Sequence, residues 1–230
     1  MEAQILLWIQ NHLRNPILDP IMQFITSLGD GGILWIIVTA VLLIIPKTRK
    51  TGILCLISLG FTVLVNNIIL KNLVNRTRPY EAIPDLILIT KNPGDASFPS
   101  GHTAASFSVA VVMLMTMKKR YGIPAIVLAS LIALSRLYVG VHYPSDVLGG
   151  FVVATLIAVA TVEISKPVSK ALEKKLALKK AKIKSEKTEI SESSVDSENL
   201  SKSEKSEKTL SEQENLVVEN SSSSDLSEKM

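Results

Sequence analysis

The sequence predicts an all-α protein, a polytopic membrane helical bundle of five to six spans with an N-terminal interfacial helix and a disordered C-terminal tail. Three observations predict it. Residues up to about 165 are mostly apolar runs, although the 230-residue chain as a whole is only 47% hydrophobic and 20% charged. The runs approach the length of about 20 residues that a hydrocarbon core requires. Basic clusters recur at every second break between them, which places those clusters on one side of a membrane. The expected organisation is therefore short N-terminal helices over 1–30, a membrane core over 31–165 and a Lys/Glu/Ser-rich tail over 166–230.

Residues 3–13 are apolar but short, and with Trp8, His12 and Arg14 they suit an interfacial helix better than a span. Pro16 ends it. Residues 17–28 form a second short segment, and Gly29-Asp30-Gly31-Gly32 marks a turn. No Gly-Lys-Ser/Thr follows this glycine cluster, so it is a loop or hinge rather than a phosphate loop. Five spans follow at 31–46, 51–72, 101–118, 123–140 and 145–165; if 17–28 also crosses there are six. Lys47-Thr48-Arg49-Lys50, Lys118-Lys119-Arg120 and the lysines from Lys166 onward fall on the cytoplasmic side, with the tail. The loop 73–100 and the turn 140–145 then share the opposite, outer side. The tail cannot bury enough apolar surface to order itself, except that residues up to about 184 can continue helically beside anionic headgroups.

The formal charge of +4 belongs to the first 165 residues, with 12 basic and 8 acidic side chains, because the tail balances 13 lysines against 13 acids. No basic stripe on a soluble fold is present, which argues against a nucleic-acid partner. Cys55 is the single cysteine, so neither an intrachain disulfide nor a multi-cysteine metal site can form. The first residues lack a signal-peptide pattern, and the membrane helices themselves are expected to direct insertion.

Three polar clusters stand out on the outer side. Lys71, Arg76 and Arg78 close the second span, where bases are normally sparse; they are either snorkelling helix-end residues or ligands for an anion. Pro99-Ser100-Gly101-His102 opens the third span. It is either an ordinary Ser-capped helix with an interfacial His, or an anion site made by free helix-start amides, the Ser100 hydroxyl and a proton-transferring His102. Arg136, His142 and Asp146 form the third cluster. A carboxylate four residues on can orient the His142 ring and leave its other nitrogen free to attack. In the plainer alternative Asp146 caps the fifth span and pairs with Arg136.

Lys71-x6-Arg78-Pro79, Pro99-Ser100-Gly101-His102 and Ser135-Arg136-x5-His142-x3-Asp146, in this order, resemble the three-part signature of the type 2 phosphatidic acid phosphatase superfamily. The resemblance spans about residues 71–146, with the surrounding helices extending it over roughly 17–165. It implies a metal-independent, cofactor-free phosphatase acting on a membrane lipid phosphate. By carry-over, His142 is the nucleophile, Asp146 orients it and His102 serves as acid and then base. Lys71, Arg78, Ser100, Gly101 and Arg136 hold the phosphate oxygens. Members of this kind act on undecaprenyl diphosphate or phosphatidylglycerol phosphate, and an outward-facing site in the cell membrane favours the first. Phosphatidate, or transfer of phosphate to another lipid, are alternatives with the same residues. A soluble haloperoxidase is disfavoured by the spans, and an inert lipid-binding module by the intact histidines and Asp146.

Overall fold

The computed structural model describes residues 1–180. Among these every regular secondary-structure element is helical. Two compact units are separable, Met1–Val168 and the segment from Ser169 onward; the first contains the bundle, and the described part of the second, residues 169–180, is helical. The expected tail disorder concerns residues 181–230, outside the described residues.

Helix α1 (Glu2–Leu13) ends at Arg14, whose backbone is extended ahead of Pro16. Asn15 then accepts from the Ile17 and Leu18 amides, satisfying free donors at the start of α2 (Leu18–Ser27). Gly31 and Gly32 adopt left-handed backbone (φ 57 and 68), reversing the chain into α3 (Ile33–Ile44). Pro46 breaks α3. Helix α4 (Arg49–Val63) continues through a wider, π-type segment, Leu64–Leu70, into the short α5 (Lys71–Val74). Asn75, left-handed at φ 42, closes α5 by donating to the Lys71 carbonyl. Arg78 is extended, as the residue before a proline prefers, and Pro79 starts α6 (Pro79–Ala82). An irregular loop leads to α7 (Gly101–Thr116), followed by α8 (Lys119–Tyr138) and α9 (Pro144–Lys180).

Helix α7 lies at the centre, packed against α3, α4 and α8. Its residues Val109, Ala110 and Val112 are completely buried, with Ala129 of α8 and Ala154 and Ala158 of α9 in the same core. Small residues at these crossings let backbones approach closely. A Cβ on Gly122 would lie 2.5 Å from the Leu114 Cα, and one on Gly52 would lie 2.7 Å from the Leu43 nitrogen. Interhelical polar contacts are buried: Trp35 Nε1 donates to Ser106 Oγ (2.8 Å) and Ser58 Oγ to the Ser108 carbonyl (3.0 Å). Ile37, Leu56, Leu134 and Leu156 instead point outward. Hydroxyls inside and large aliphatics outside are the arrangement a lipid solvent favours.

Each of the five stretches expected to span coincides with a helix, but by length and composition three of the described helices, or up to four, qualify as spans rather than the expected five to six. Arg49–Ala82, α8 and α9 are each long and apolar enough to cross a membrane. The pair Leu18–Ser27 and Asp30–Ile44, bent by 43°, makes a fourth if it is one span, while α7 is apolar but shorter. Cys55 is buried, as its apolar surroundings predict.

Candidate active site

Helix ends deliver the site. Lys71 follows the π-type segment at the end of the second long helix, His102 is the second residue of α7, Arg136 lies in the last turn of α8, and His142 sits in the turn before α9. Together with Arg78, Gly101, Asn67, Asp95 and the glycines of the α2–α3 turn they line one cavity of about 310 Å³. Ile36, Leu59 and Val63 form its apolar side.

His142 is 1% exposed. Its Nδ1 faces Asp146 Oδ2 at 3.6 Å, and its Nε2 faces Arg78 Nη1 at 3.5 Å. Burial pushes the imidazole down from its ordinary value to about 3; Asp146 pulls it back, while Arg136 and Arg78 depress it further. The ring is therefore neutral at physiological pH. Asp146 is fully buried yet well satisfied. Its Oδ2 accepts from Ser97 Oγ (2.5 Å) and the Tyr143 amide (2.9 Å), and its Oδ1 from Arg76 Nη1 (2.7 Å). The bond to Tyr143 is the third-residue half of a capping box at the start of α9. Arg76 rather than Arg136 is the ion-pair partner of Asp146. Arg76 is itself held by Glu2 Oε2 (2.7 Å), and Glu2 Oε1 accepts from the Ser145 amide (2.9 Å).

The cations are uneven in their partners. Arg78 donates to the Val141 carbonyl (2.8 Å), the Asp95 carbonyl (2.7 Å) and Asp95 Oδ1 (2.6 Å). Lys71 pairs with the other oxygen of the same carboxylate. Burial acts to raise the Asp95 carboxyl, but Lys71 and Arg78 hold it below the usual carboxylate range. Arg136, 3% exposed, donates to Thr26 Oγ1, while its Nε has no hydrogen-bond partner among the described residues. An unmatched buried guanidinium nitrogen costs stability unless an anion reaches it.

Ser100 and Gly101 take different places. Gly101 lies against the Lys71 ammonium: a Cβ there would be 3.8 Å from Nζ. Ser100 stands behind the cavity, its amide donating to the Asp146 carbonyl (3.0 Å) and its hydroxyl accepting from Thr103 Oγ1 (3.0 Å). His102 Nε2 contacts Asp30 Oδ1 at 2.9 Å. The structure thus brings Lys71, Arg78, Gly101, His102, Arg136 and His142 to one cavity, with Asp146 and Ser100 supporting it. Sequence reasoning missed Asp30, Glu2, Asp95 and Ser97, and read Arg76 only as one more base. Charge accounting offered a signal, because four bases on one side of a membrane call for acids from the same side. Among the described residues no three His, Cys, Asp or Glu side chains are grouped to hold a metal ion.

A helical membrane bundle whose helix ends carry two histidines and three cations to one cavity defines an anion-handling membrane protein. The chain belongs to the PAP2 superfamily, whose family model matches residues 51–169. It is 35% identical over 154 residues to an undecaprenyl-diphosphatase of Sulfolobus acidocaldarius, an alignment covering 67% of this chain and 74% of that protein. It is 36% identical over 144 residues to undecaprenyl-diphosphatase BcrC of Bacillus subtilis, covering 63% and 73%. Among solved structures, a transmembrane PAP2-type phosphatidylglycerolphosphate phosphatase from Bacillus subtilis superposes with a TM-score of 0.60 at 29% identity, over 73% of this chain and 85% of that one.

Proposed function

We propose that this multi-pass membrane phosphatase hydrolyses undecaprenyl diphosphate to undecaprenyl phosphate and inorganic phosphate through a phosphohistidine. The observation that carries the reading is the convergence of His142 Nε2 and the cations Lys71, Arg78 and Arg136 on one cavity, with Arg136 Nε unpartnered. A terminal phosphoryl group there takes up the free guanidinium valence and displaces the Asp95 carboxylate from Lys71 and Arg78. Gly101 gives its oxygens access to the helix-start amides of α7, while Ser100, through its capping hydroxyl, shapes that start.

The neutral His142 Nε2 attacks phosphorus, and the bond from phosphorus to the leaving oxygen breaks. His102 gives that oxygen a proton. Asp146, on the Nδ1 side, stabilises the positive charge that develops on the ring. His102, now neutral, takes a proton from water, whose oxygen attacks phosphorus; the N–P bond breaks, His142 regains its lone pair and phosphate departs. Positioning and charge neutralisation supply most of the acceleration. The residues reaching the phosphate are cations and amides rather than clustered carboxylates, which favours a mechanism without divalent metal.

The topology that accommodates this chemistry has five crossings, counting the bent α2–α3 pair as one and α7 as another, with α1 along the interface. The site faces outward and the tail lies in the cytoplasm. The activities of the similar proteins and the apolar cavity wall formed by Ile36, Leu59 and Val63 support a lipid substrate. Phosphatidylglycerol phosphate is the second reading, favoured by the similar solved phosphatase. Phosphate release by purified protein, measured in chelator with undecaprenyl diphosphate, phosphatidylglycerol phosphate and phosphatidate, ranks these substrates. The expected result is fastest release from undecaprenyl diphosphate and none from His142→Ala. A strict need for added divalent metal would overturn the mechanism.

A further inference from the structure

The turn Gly29-Asp30-Gly31-Gly32, read from sequence as a simple hinge, is in contact with His102. Gly29 lies against the ring: a Cβ there would fall 2.6 Å from His102 Cδ2 and 2.9 Å from Ile132 Cγ2. Only hydrogen fits between the backbone and the imidazole. The next residue, Asp30, meets the edge of the same ring, with Oδ1 2.9 Å from Nε2. Gly31 and Gly32 then turn the chain through left-handed backbone, and the turn lies against α7, where a Cβ on Gly32 would be 3.7 Å from Ala105 Cβ. Two adjacent residues of one turn therefore fix both the plane and the edge of the ring. The turn lies outside residues 51–169, the part matched by the family model.

We propose that Asp30 is a positioning residue for the reaction, holding His102 with its Nε2–H bonded so that Nδ1 is the nitrogen that gives and takes the proton. This rests on the reading of His102 as acid and base given above. A ring held by a carboxylate at one nitrogen keeps one tautomer, with the lone pair at the other. In the first step the doubly protonated ring passes its Nδ1 proton to the leaving oxygen and keeps Nε2–H on Asp30. In the second step the Nδ1 lone pair accepts the proton of water, so the ring returns to its starting state. Lys71 and Arg136 line the same cavity, and their charge opposes a second proton on this ring. Asp30 supplies the opposing charge. The site would thus contain two His–Asp pairs, one for the nucleophile and one for the proton carrier.

The test compares wild type with Asp30→Asn, Asp30→Glu, His102→Ala and the Asp30→Asn/His102→Ala double variant. A lipid monophosphate, whose leaving alkoxide needs a proton, is assayed beside p-nitrophenyl phosphate, whose leaving group needs little help. Asp30→Asn is expected to lower kcat on the lipid monophosphate about 10- to 100-fold, within the usual range for acid–base assistance, with KM nearly unchanged. The loss on p-nitrophenyl phosphate is smaller, Asp30→Glu recovers part of the rate, and the double variant is no slower than His102→Ala alone. Equal losses on both substrates that add to the His102→Ala loss would overturn the proposal, as would wild-type rates in Asp30→Asn. His142→Ala run in parallel separates the two levels. If it retains phosphatase activity, the mechanism beneath fails; if it is inactive while Asp30→Asn is normal, only the role of Asp30 fails.

Discussion

Arg136 and His142 show how far single residues are bent to the site. Both are almost completely buried, one with an unfilled guanidinium nitrogen and the other as a neutral imidazole. The unfolded chain binds a proton at His142 near 6.5, whereas the folded chain refuses it until about 3. This group therefore makes stability fall as pH drops from about 6.5 towards 3, with no effect above. Histidine-labelled protein in micelles should show His142 neutral from pH 5 to 8 by nitrogen NMR; a midpoint near 6.5 would overturn that assignment. Asp146 depends on Arg76 for one oxygen, and charge-assisted bonds of this kind contribute about 1.5–3 kcal/mol. Arg76→Ala is therefore expected to reduce kcat roughly 10- to 100-fold with little change in KM. Asp95 works in the opposite sense, because it occupies Lys71 and Arg78. Since Asp95 is half-exposed, its removal has a modest effect: Asp95→Asn should tighten inhibition by orthovanadate roughly 2- to 5-fold, and weaker inhibition would show that Asp95 organises the cations instead.

At the scale of helices, what was legible in the sequence is what is local in it. The Ser100 cap and the Arg78-Pro79 boundary are each written within a few residues and appear as expected, while the four-residue spacing brings Asp146 to the Nδ1 side of His142 at 3.6 Å, short of the expected hydrogen bond. The partners that were missed act across long separations: Glu2 reaches Arg76 and Ser145, Asp30 reaches His102, and Ser97 reaches Asp146. No periodicity records such contacts. Helix lengths were also harder to read, because α7 is only 16 residues long yet is the most enclosed helix, shielded by its neighbours rather than by lipid. Its packing on α8 depends on a close approach at Gly122, where a new methyl would strike the Leu114 backbone at 2.5 Å. Backbone cannot yield as a flexible side chain can. Gly122→Ala should destabilise the protein by about 1–3 kcal/mol, read as a lowered Tm in detergent, and an unchanged Tm would show that the helices separate freely there.

For the molecule as a whole, alternating helix direction sorts the charges. Asp30 precedes α3, Lys71 follows the long second helix, His102 opens α7, Arg136 closes α8 and Asp146 opens α9, so these ends meet at the site. The opposite ends carry Lys47 to Lys50, Lys118 to Arg120 and Lys166. One face of the bundle is thus rich in bases, and the other spends its bases on acids and on the cavity. On the positive-inside tendency we propose that the first face is cytoplasmic and that the cavity opens outside. In a Cys55→Ser background, Lys91→Cys on the loop before α7 and Lys118→Cys between α7 and α8 report the two faces, since both positions are exposed. A membrane-impermeant maleimide added to intact cells should label the first and spare the second until the membrane is opened. Labelling in the reverse order would place the site inside, and a substrate released at the outer surface could then no longer be its natural one.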